Sequence, residues 1–68
     1  MTNEQIIDML GGKEIIADYL GISKSAVYLW FHPKPKGSGG KIPPARAIKI
    51  FELAQKRKIK CTINDILG

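Results

Sequence analysis

One cysteine, Cys61, occurs in 68 residues, so no disulfide can close within the chain. With His32 as the only other soft ligand, four zinc ligands cannot be gathered from one copy either. Stapling of the kind used by small secreted domains is thereby excluded, and a reducing, cytoplasmic setting fits. Aromatic residues make up 7% of the chain and form no cluster, which argues against a sheet that stacks single-stranded RNA bases. No alternating pattern marks a strand, and no apolar run approaches the roughly 18 residues that span a bilayer. Glu4 and Asp8 stand where an export signal would carry a basic flank. His32 has no nucleophile or carboxylate in motif spacing, so neither an enzyme nor a cofactor is expected. "KGSGGK" has neither the spacing of a phosphate-binding loop nor a strand before it.

Negative charge is also scarce, and unevenly so. The net charge is +5; residues 1–30 hold two lysines against four carboxylates, while residues 31–60 hold nine cations against Glu52 alone. Such an imbalance suits a polyanion docked on one side of the molecule. No small-molecule substrate and no membrane are implied. A chain this short builds one modest core, so residues 1–68 are read as a single domain.

The apolar residues recur at helical spacing throughout. Thr2 with Gln5 three residues later is a helix start, and Ile6, Ile7 and Leu10 follow on one face before Gly11 and Gly12. "KEIIADYL" restarts a helix over 13–20 with Glu14 in its first turn. Gly21 suits the left-handed residue that closes a helix, and Ser23 is a good cap for "KSAVYLW". Pro33 and Pro35 forbid continuation past Phe31. Residues 32–41 read as an exposed basic loop, Pro44 opens a fourth helix over 44–57, and Thr62 with Asp65 opens a last short one at "INDIL".

The expected fold is therefore all-α, a small bundle of about five helices. Its expected core is Ile6, Leu10, Ile16, Ala17, Leu20, Ile22, Val27, Trp30, Ile42, Ala47, Ile50, Phe51 and Ala54. Ile48, Leu53, Ile59, Ile63 and Ile66 exceed what one small core needs, and some of them are expected to line a dimer contact.

Within this pattern Ala17, Gly21, Val27 and Trp30 fit two helices joined by a sharp turn. Ala17 is small where the helices cross, Gly21 permits the turn, and Val27 and Trp30 fill the space between. "KEIIADYLGISKSAVYLW", residues 13–30, resembles the helix-turn-helix of phage Cro and repressor proteins, the lambda-repressor-like class. "IPPARAIKIFELA" is similar to the segment that follows in Cro-type members. The resemblance implies a sequence-specific repressor that lays residues of about 23–31 in the major groove of double-stranded DNA, as a homodimer on a near-palindromic operator.

Carried over by position, it implies that Ser23, Lys24 and Ser25 lie at the reading end, with Tyr28 and Leu29 one turn on. Lys24 is suited to guanine O6 and N7, Ser25 to a base or phosphate, and Leu29 to a thymine methyl. Lys13 corresponds to a phosphate-contacting position, and Lys34, Lys36 and Lys41 are expected to neutralise phosphates from the loop. The alternative is an antitoxin-like regulator whose main partner is a protein, with DNA binding secondary.

Overall fold

The computed structural model describes residues 1–68, which form five helices and no strand. They are α1 (Asn3–Met9), α2 (Lys13–Leu20), α3 (Lys24–Trp30), α4 (Pro44–Lys56) and α5 (Ile63–Leu67). None is long and apolar enough to cross a membrane.

The helix starts follow from the local sequence. At α1, Gln5 N donates to Thr2 Oγ1 at 3.2 Å while Thr2 N donates to Gln5 Oε1 at 2.8 Å. Thr62 and Asp65 repeat the exchange at α5, at 3.2 and 2.9 Å. Each pair satisfies amides that the first turn leaves free, a contribution of about 0.5–2 kcal/mol. The Thr62 amide also holds the Asp65 carboxyl below the ordinary carboxylate range. Burial, and then the neighbouring Asp65, push the Cys61 thiol up.

Three helices end alike. Gly12 N donates to Ile7 O at 2.9 Å, Ile22 N to Ala17 O at 3.0 Å, and Ile59 N to Ala54 O at 2.9 Å. In each case the residue before the donor has a positive φ, and its own amide reaches the carbonyl three residues back. This doubled bond is how a helix closes when its last carbonyls have no further turn to accept from. At α2 the reversing residue is Gly21, φ 69, and at α4 it is Lys58, φ 59.

The core comprises Ile6, Ile7 and Leu10 of α1, Ile16 and Ala17 of α2, and Val27 and Trp30 of α3. Ile42 of the loop, Ala47, Ile50, Leu53 and Ala54 of α4, and Ile66 of α5 complete it. Ten of the thirteen expected core positions are in it; Leu20, Ile22 and Phe51 are instead half-buried against its margin. Leu20 and Ile22 flank the surface turn at Gly21. Phe51 lies at the edge because α5 packs on α4, turning the buried stripe toward Leu53 and drawing Ile66 inside. The surplus expected for a dimer contact is thus largely absorbed: Leu53 and Ile66 are core, Ile59 and Ile63 pack against it, and Ile48 alone is left 54% exposed.

Residues 32–41 do not project as a free loop. Ser38 N donates to Leu29 O at 3.0 Å, Gly39 N to His32 O at 2.9 Å and Gly40 N to Trp30 O at 2.7 Å, so the backbone folds back over the end of α3. His32 Nδ1 lies 2.9 Å from the Tyr28 carbonyl oxygen, an acceptor, and so carries the ring proton. The carbonyls that α3 leaves open are satisfied this way. A side chain at residue 37 would collide with the Leu29 carbonyl oxygen and with His32, so the close approach demands glycine. On the far side, buried Asn3 donates through Nδ2 to Gly40 O at 2.6 Å and to Ile66 O at 3.2 Å.

Candidate nucleic-acid interface

α2, the turn at Gly21 and α3 form a helix-turn-helix. Ala17 is buried at the packed face between the two helices, where a larger side chain would push them apart. The turn geometry leaves Ser23 extended, φ −72 and ψ 151, with Oγ accepting from Ala26 N at 3.2 Å. That acceptance starts α3 and leaves the Ser23 hydroxyl hydrogen free to donate elsewhere.

α3 is two-sided. Val27 and Trp30 point into the core, and Lys24, Ser25, Tyr28 and Leu29 are exposed. Tyr28 and Leu29 are each 44% exposed. A tyrosine and a leucine side by side in water on a seven-residue helix are apolar surface that folding leaves open.

The charges near this face are partly engaged. Lys24 Nζ lies 3.3 Å from Glu14 Oε1 on α2, with both side chains well exposed; such a pair contributes only about 0.2–1 kcal/mol and is readily exchanged. Lys13 is held more firmly, 3.0 Å from Glu4 Oε2 and with only 17% of its side chain exposed. Its ammonium also lies 5.1 Å from the Phe31 ring centre and 5.6 Å from that of Tyr28. Lys34 and Lys36 are exposed and form no ion pair. Lys41 is exposed too, but its ammonium donates to the Gly68 carbonyl oxygen at 2.5 Å, toward the α5 end of the loop.

The structure thus brings Lys13 against Tyr28, pairs Lys24 with Glu14, and places Lys34 and Lys36 on a loop anchored to the same helix. Glu4, Glu14 and Phe31 complete the arrangement without being signalled by the motif. Arg46 and Lys49, which no motif marks, line a cleft between α2 and α4 with Tyr19 and Leu20. Their spacing of three on an exposed helix face was the available signal.

A family model described as DNA-binding transcriptional regulator Cro matches residues 2–66. The chain belongs to this Cro family. No curated protein and no solved structure matches it. As a Cro-family chain it is a DNA-binding transcriptional regulator. The match includes all of α1 to α4 and most of α5, so the family covers the capping loop and the last helix as well as the helix-turn-helix.

Proposed function

We propose that this Cro-family chain is a repressor that reads double-stranded DNA with the exposed face of α3, two copies binding a near-palindromic operator. The observation that carries the reading is the division of α3, with Val27 and Trp30 inward and Lys24, Ser25, Tyr28 and Leu29 outward. A helix rises about 1.5 Å per residue, so this one spans about 10 Å, enough for roughly three base pairs.

Each outward group has a chemistry that suits the major groove. The Lys24 ammonium exchanges the Glu14 carboxylate for guanine O6 and N7, and the Leu29 methyls meet a thymine methyl. Ser25 and Tyr28 supply hydroxyls to base edges, while the free Ser23 O–H donates to a phosphate. Lys34 and Lys36, which form no ion pair, lie along the backbone and set affinity, which therefore falls with salt, while Lys41 does so only on leaving the Gly68 carbonyl. Occupancy of an operator overlapping a promoter then excludes the polymerase.

Three base pairs carry too little information and too little buried surface for tight binding, which supports a second copy. The molecule measures 33 × 22 × 19 Å, while half-sites one turn apart are centred roughly 34–36 Å from each other. Two copies therefore meet on the duplex when their long axes run along it.

Selection of bound duplexes from a random pool tests this. The expected product is a two-fold symmetric sequence, and Lys24→Ala and Ser25→Ala should each lower the preference for it by about 1–3 kcal/mol without unfolding the protein. An asymmetric consensus, or preferences unmoved by either substitution, overturns the reading.

A further inference from the structure

Lys13 opens α2, yet its side chain does not extend into solvent as a first-turn lysine ordinarily does. It runs across the flank of α3, with its ammonium bonded to Glu4 of α1 and set against the rings of Tyr28 and Phe31. One side chain of α2 therefore reaches both α1 and α3. The two rings lie three residues apart, in the last turn of α3 and at the residue that caps it, so a cation held against both opposes rotation of that end of the helix. Val27 and Trp30 already set which side of α3 faces the core, and the remaining ties act at its ends. Ser23 fixes where the helix begins, and the loop amides fix its last carbonyls. Lys24 bonds α2 only through an exposed pair. Because Tyr28 is both a ring in this contact and a member of the outward face, whatever orients it orients part of the surface offered to the groove.

Reaching a phosphate would require Lys13 to leave a carboxylate and two aromatic faces at once. The same ammonium cannot hold these contacts and serve as a free counter-ion. We infer that Lys13 is a positioning residue: with Glu4 as its anchor it sets the orientation of Tyr28 and of α3, and thereby the base preference, instead of neutralising a DNA phosphate. This rests on the proposal that α3 reads DNA.

The test compares a duplex selected from the random pool with a random-sequence duplex of equal length, across a salt titration. Lys13→Gln is expected to lower the ratio of the two affinities about fivefold, with an unchanged slope of log affinity against log salt. Lys13→Arg, which keeps charge and ring contact, should restore the ratio. Glu4→Gln, which frees the ammonium, should lower the ratio and leave binding to the random duplex unimproved. In the free protein, Lys13→Gln should move the Tyr28 and Phe31 ring resonances in NMR spectra.

A phosphate contact gives the opposite pattern. The slope would flatten by about 0.9, the ratio would hold, and Glu4→Gln would tighten both duplexes; this result overturns the inference, as do ring resonances that stay in place. Lys24→Ala and Ser25→Ala, measured alongside, separate the two levels. If they leave the ratio unchanged, reading by α3 itself fails, whereas if they lower it and Lys13→Gln does not, only the positioning role fails.

Discussion

At Gly21 the backbone takes φ 69 with nothing within 4 Å of where a side chain would begin, whereas Gly37 keeps an ordinary dihedral but faces Leu29 and His32 directly. One position needs a conformation and the other needs space. Gly21→Ala should cost about 1–2 kcal/mol through backbone strain alone, lowering the urea midpoint while leaving the loop amides protected in hydrogen exchange. Gly37→Ala should cost about 1–3 kcal/mol by overpacking and should also expose the Ser38 and Gly40 amides to exchange, because the loop must lift to admit a methyl group. Equal exchange in the two variants would refute the distinction. The role of Gly21 was legible, since a glycine between two periodic segments has few other uses. That of Gly37 was not: it stands among Gly39 and Gly40 in a stretch that reads as flexible, and its need arises from the loop folding back over the end of α3.

Among the helices, what is written within a few residues was readable and what depends on a distant partner was not. Thr2 with Gln5 and Thr62 with Asp65 mark α1 and α5 because both halves of each cap lie in one turn. Val27 and Trp30 reveal the inward side of α3 by spacing alone, and with it the outward side. The placement of Leu53 and Ile66 in the core escaped local reading, since it follows from α5 docking under α4. The partners Glu4 and Glu14 escaped too, because each belongs to a different helix from the lysine it meets. The end of α4 is the clearest case. No glycine signals it, and Lys58 takes the left-handed conformation instead. Lys58→Gly should therefore stabilise the protein by about 0.5–1 kcal/mol, seen as a higher urea midpoint with an unaltered slope. A lower midpoint would mean that the lysine side chain compensates for its backbone.

For the molecule as a whole, the capping loop turns a basic segment into a fixed extension of the helix-turn-helix. Replacing Lys34 and Lys36 together with alanine should weaken binding to every duplex and flatten the salt slope by about 1.8, with sequence preference intact. An unchanged slope would take the loop out of the interface. The cation excess of residues 31–60 was evident from composition, but where its loop members Lys34 and Lys36 lie depends on hydrogen bonds from Ser38, Gly39 and Gly40 that no residue pattern announces. The buried amide of Asn3 extends the same connection, since it bonds at once to the loop at Gly40 and to α5 at Ile66. A strand of DNA gripping the lysines would thus pull, through a single carboxamide, on the beginning and the end of the polypeptide together, and the outermost helices would bear load from a groove they never enter.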